Sequence, residues 1–134
     1  MLELAALANM FAGDLDEVIA CGMRALRLSP GASDSYACLE HIASAHFFAG
    51  RFEEAGEWAQ RSIDLEKGFA FSHLLIAASN AHLGRVEKAQ AAMNVALTLR
   101  PDLTIAKEEN YPMRFPERRK LWVDGLRMAG MPEG

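Results

Sequence analysis

One hundred and thirty-four residues make one domain's worth of chain, long enough to bury a core. Apolar residues at 51% and charged ones at 24% are the balance of a soluble globular protein, and a net charge of −4 argues against nucleic acid as the main partner, since phosphate binding rests on a cationic surface. The longest apolar stretch, about 69–78, is half the length of a membrane span and is broken by Ser72 and His73; with no signal peptide visible, no membrane partner is expected and the chain reads as cytoplasmic.

In residues 1–12 only Glu3 and Asn9 interrupt a run of Leu, Ala, Met and Phe. A helix apolar all round is normally buried on every side, and nothing upstream is present to bury this one. The segment predicts that the chain is a fragment of a longer protein, or that another subunit covers its first helix; native upstream chain is the preferred explanation. Gly13 ends this helix, and Asp14, Asp16 and Glu17 open the next, their charge opposing the positive end of the helix dipole. That second helix is expected to reach Leu28 and stop at Ser29-Pro30-Gly31.

From Tyr36 to Leu103 the chain repeats itself: Gly50, Arg51, Glu53, Ala55 and Leu65 recur as Gly84, Arg85, Glu87, Ala89 and Leu99, thirty-four residues later. A period of that size marks a two-helix unit. The predicted helices run over about 35–49 and 52–65, then about 69–83 and 86–99. An earlier, looser copy has Gly13, Val18, Ala25, Leu28 and Pro30 in the matching slots, with a three-residue insertion assigned to the loop at 30–35, where extra residues cost little. Acidic residues in register (Asp16, Glu53, Glu87) imitate a catalytic row but are better read as helix starts. On the outside, Glu57 and Arg61 are placed for an i,i+4 ion pair.

These residues resemble the tetratricopeptide repeat (TPR) family: Ala43, Gly50, Ala55 and Ser62, then Ala77, Gly84, Ala89 and Ala96, stand at its small-residue positions. The resemblance implies an all-α, right-handed α-α superhelix of three helix pairs plus a C-terminal capping helix, a single domain over 1–134 with repeats at about 1–33, 36–69 and 70–103 and a short helix and cap over 104–134. The small residues let the helices of a pair approach closely while Leu and Ile fill the space between pairs. The chain departs from the family at Val18, where Ala is usual, at Gly22, where a large residue is usual, and at His73, where a large apolar one is.

After Pro101 the period ends. Residues 102–109 read as a short helix started by Asp102 or Thr104; Pro116 suits the first position of a last helix over about 117–128, with Leu121, Trp122, Gly125, Leu126 and Ala129 on one side. This helix is expected to lie against the open face of the third repeat as an end cap. The tail Leu126-Arg-Met-Ala-Gly-Met-Pro-Glu133 resembles the ending of TPR regions at the C-terminus of bacterial class III adenylate/guanylate cyclases and related signalling regulators, some with a winged-helix domain upstream.

Signs of chemistry are sparse. His41, His46, His73 and His82 are spaced five, twenty-seven and nine residues apart, none of them a helical zinc pair, so no metal is expected. No nucleophile elbow, P-loop or dinucleotide fingerprint occurs, and neither catalytic activity nor a cofactor is expected of this chain. Cys21 and Cys38 lie within helical patterns and predict buried thiols rather than a disulfide. Arg118-Arg119-Lys120 is a basic cluster, yet from Pro101 onward six basic residues face six acidic ones, which favours a solvated helix face over an anion site.

Function is expected in the groove. In TPR arrays the first helix of each pair lines the concave surface, which here implies a site of Leu4, Leu7 and Phe11, then Glu40, His41, Ser44, Phe47 and Phe48, then Phe71, Leu74, Leu75 and His82. TPR co-chaperones that grip a C-terminal carboxylate use Lys, Asn and Arg there; Leu7, Ser44, Phe71 and Leu75 argue against carboxylate capture. An apolar trough of this kind fits a protein or peptide segment. The competing reading is that its side chains are covered by the chain's own C-terminal segment or by neighbouring repeats. Self-association into a homodimer through the apolar first helix is the alternative function.

Overall fold

The computed structural model describes residues 14–29, 35–110 and 116–134. Among the described residues there are seven helices and no strand. They are α1 (Leu15–Leu28), α2 (Ser35–Phe48), α3 (Phe52–Leu65), α4 (Ala70–His82), α5 (Val86–Leu99), α6 (Ile105–Glu109) and α7 (Pro116–Met128). The expected first helix and the loop insertion lie outside the described residues.

The helix starts follow the charges. Asp14 caps α1, its carboxylate accepting from the Glu17 amide at 3.0 Å. Neither Arg51 nor Arg85, the residues before α3 and α5, makes a side-chain cap; these helices begin instead with Glu53 and Glu54, or Glu87, in the first turn. The acids in register do a second job that the sequence reading missed. Asp16 and Glu53 each meet the arginine before the second helix of the following repeat, Arg51 at 3.7 Å and Arg85 at 2.7 Å, and so link neighbouring pairs on the surface. Thr104, rather than Asp102, starts α6, accepting from the Lys107 amide at 3.3 Å.

Three helix ends, those of α2, α4 and α7, are set by glycine. Gly50, Gly84 and Gly130 have φ of +84°, +80° and +103°, the left-handed conformation that only glycine adopts without strain. Each forms the same doubly bonded stop: the residue after the glycine donates back to the carbonyl five positions earlier (Arg51 to His46, Arg85 to Asn80, Met131 to Leu126) at 2.8–3.1 Å. The recurring glycine of the 34-residue period is therefore a turn requirement.

Packing bears out the small-residue slots. Ala43, Ala55, Ala59, Ala77, Ala89 and Ala96 are all buried. Ser62 stands where the next copy has Ala96, and its hydroxyl bonds to the Tyr36 carbonyl at 2.7 Å and the Ser72 hydroxyl at 2.9 Å, tying α3 to both first helices. Gly22 lets α1 approach α2, because a Cβ there would meet the Ile42 side chain at 2.7 Å. His73, in its departing slot, bonds to the Lys67 carbonyl at 3.0 Å.

Three expectations are corrected. Arg61 lies over the Trp58 ring, 4.4 Å from its centre, instead of pairing with Glu57, since the indole face offers a neighbour already fixed by packing. Neither cysteine forms a disulfide, but Cys21 is exposed and Cys38 half-buried where two buried thiols were expected. The third concerns α7. Its principal neighbour is α4, with α6 and α2 next, so it lies across the first helices of two repeats and not on the outer end of the third.

Candidate partner-binding groove

Helix α2 is enclosed on nearly every side and supplies five residues of the expected site: Glu40, His41, Ser44, Phe47 and Phe48 are all buried. From α4, Leu74 and Leu75 are buried, while Phe71 and His82 are half-buried. Leu4, Leu7 and Phe11 lie outside the described residues. Seven of the nine described residues belong to two groups, an aromatic seat (Phe47, Phe48, Phe71 and His82) and a polar patch (Glu40, His41 and Ser44).

The seat is filled by α7. Trp122, 1% exposed, is stacked on Phe71 with ring centres 5.2 Å apart and meets Phe47 edge-on at 5.5 Å and Phe48 at 6.4 Å. Its indole N–H, which burial would otherwise strand, donates to Glu108 of α6 at 2.7 Å. His82 stacks on Phe52 at 4.7 Å and its Nε2 bonds to the Leu121 carbonyl of α7 at 2.8 Å. One turn on, Gly125 presses against the same helix: a Cβ there would stand 2.9 Å from the Ala78 methyl and 3.0 Å from the His82 ring. Leu126 and Val123 complete the buried face, in one apolar core with Phe47, Phe48, Leu74 and Leu75. Sequence reasoning found the acceptor surface but not Trp122 and Gly125 as the residues that fit it. The signal was present: a Trp with Gly and Leu three and four positions later is a helical stripe with one bulky and one absent side chain.

The polar patch is Glu40 with Ser44 and His41. The Ser44 hydroxyl donates to the Glu40 carboxylate at 2.5 Å, and His41 Nε2 lies 3.5 Å from its other oxygen. Burial pushes the Glu40 carboxyl up to about 7, the Ser44 bond pulling the other way. The patch is enclosed, so these residues are groove floor.

The end of the chain secures α7. Pro132 and Glu133 carbonyls accept from the Ile105 and Ala106 amides at 2.7 and 2.9 Å, satisfying the open N-terminal turn of α6. Arg127 bridges Glu133 at 2.8 Å and Glu109 at 3.3 Å. Ala129 and Met131 are buried. The end of the chain thus forms a clasp on α6. In the basic cluster Lys120 pairs with Asp124 at 2.8 Å. Among the described residues no group of His, Cys, Asp or Glu is arranged to hold a metal, and no helix is long and apolar enough to cross a membrane.

No family model matches the chain, and no curated protein matches it. Among solved structures it is similar to a variant of the Thermobaculum terrenum O-GlcNAc transferase, with a TM-score of 0.68 and 24% identity over 94% of this chain. The chain spans only a quarter (25%) of that protein's length, so the likeness is one of fold. That neighbour is a TPR-repeat protein, and the fold here is the all-α, TPR-type superhelix of stacked helix pairs with a C-terminal helix packed on it.

Proposed function

We propose that this chain is a protein-interaction scaffold whose concave groove, formed by α2 and α4, receives a helical segment. The observation that carries the reading is the seat of Trp122: Phe47, Phe48 and Phe71 surround a ring while His82 bonds to the backbone of the helix that brings it. Buried aromatic anchors with a few orienting polar groups are the usual core of such interfaces. The tail supports placing the module in the C-terminal regulatory region of a cytoplasmic bacterial signalling protein such as an adenylate cyclase. Any catalysis would then belong to an attached domain and not to this chain. The test is affinity capture of partners on the immobilised chain, compared with Phe71→Ala/His82→Ala in the groove and Arg85→Ala on the outer surface. Loss of capture with the groove variant alone is expected; retention unchanged by the groove variant would count against the reading.

Self-association is the second reading, favoured by α1, none of whose side chains is fully buried. A homodimer covering that end of the stack would bring attached domains together. Light scattering over a range of concentrations, on this chain and on Leu4→Glu/Leu7→Glu, decides it. A dimer that the variant dissolves is expected; a monomer at every concentration would end this reading.

A further inference from the structure

We propose that α7 is the groove's built-in ligand, so that an external partner must be a helix of the same pattern competing for the same seat. The inference rests on the groove being the binding surface. Three features of α7 match the groove and define that pattern: Trp122 in the aromatic seat, Gly125 where the Ala78 methyl and His82 ring leave no space, and buried Leu126 beside them. The partner is therefore an amphipathic helix with an aromatic residue, a glycine three positions later and a leucine four positions later. Both ends of α7 are tethered, one by the chain and the other by the clasp of Pro132, Glu133 and Arg127 on α6 and Glu109. Tethering holds a resident segment at an effective concentration on the order of millimolar, which excludes weaker competitors supplied in solution. Helix α7 is thus an autoinhibitory occupant.

The test uses a fluorescein-labelled peptide of residues 116–128 as probe, read by polarisation against the full chain and against the full chain carrying Gly125→Leu. The substitution keeps helix propensity high but puts a side chain against a methyl that cannot turn aside, expelling α7 without altering the groove. Expected are no binding to the unaltered chain and a cooperative thermal transition retained in Gly125→Leu. That variant should bind the probe about tenfold or more tightly than the unaltered chain, and a probe carrying Gly125→Leu should bind neither. Loss of the cooperative transition in Gly125→Leu would overturn the proposal by making α7 part of the obligatory core, leaving open a partner site elsewhere. A folded variant that ignores the probe would overturn both the proposal and the groove reading. Equal binding to both chains would overturn the proposal alone, since the groove would then be accessible with α7 in place.

Discussion

Glu40 is a carboxyl only 2% exposed, with Ser44 as its hydrogen-bond donor. By sequence position it is a polar handle for a ligand; in the fold it is a titratable group that favours the protonated form. Its folded-state value is raised from about 4.5 to about 7, so its contribution is most favourable below pH 4.5. That contribution is lost progressively as pH rises from 4.5 through 7, where the unfolded chain ionises and the folded one resists. The span corresponds to something on the order of 3 kcal/mol. His46 acts in the opposite sense: burial first, then the Arg51 charge, hold its imidazole below the usual 6.5 against the pull of Glu54 and Asp16, so its contribution is lost as pH falls below 6.5. Comparing Glu40→Gln with the unaltered chain cancels the His46 effect. Urea denaturation should find the variant more stable by a margin that grows between pH 5 and pH 8.5. A margin equal at the two pH values would show that Glu40 keeps its ordinary ionisation.

Element boundaries depend on backbone conformation, and that is testable apart from packing. Gly50 and Gly84 have positive φ, and a Cβ added at either would have nothing within 4 Å, so alanine there is penalised by backbone strain alone, about 1–2 kcal/mol at each. Gly56 has equally open space but sits inside α3 with ordinary φ, where alanine should stabilise by about 0.5–1 kcal/mol. Chemical denaturation of the three single variants should therefore give opposite signs; a loss at Gly56 as large as at Gly50 would tie the effect to contacts instead of φ. The repeat was legible in the sequence for the same reason that these glycines recur. Each pair must solve the same local problem of turn, close approach and stop, and the solution reappears at a fixed interval. The clasp at the C-terminus was legible only as a resemblance, because its bonds run from Pro132 and Glu133 to amides of α6 that no periodic pattern connects to them. The placement of α7 was legible only as one of two alternatives, since cover of the groove by the C-terminal segment stood beside an end cap: its apolar stripe fits both, and the choice is made by tertiary contacts such as Gly125 against Ala78.

At the scale of the molecule the question is whether α7 belongs to the cooperative unit or is bound to it. Trp122 and Leu126 share one buried core with Phe47 and Leu75, and contact alone assigns them to a single unit. Energetics separate the two cases. A segment that docks onto an already folded stack adds to stability only what its docking equilibrium supplies. Substitutions within it can therefore remove no more than that amount. Trp122→Ala alone is expected to cost about 3–5 kcal/mol and Leu126→Ala about 2–5 kcal/mol. With α7 as a ligand, the combined variant should lose little more than Trp122→Ala does, and adding Val123→Ala should lose nothing further. The denaturant m-value should fall as well, because an undocked α7 no longer exposes new surface on unfolding. Neighbouring residues often combine non-additively for local reasons, which is why the third substitution matters: repacking around one site shifts a sum, whereas an undocked helix sets a ceiling. Losses that continue to accumulate across the series at constant m would make α7 an integral part of the repeat stack and its groove a closed core.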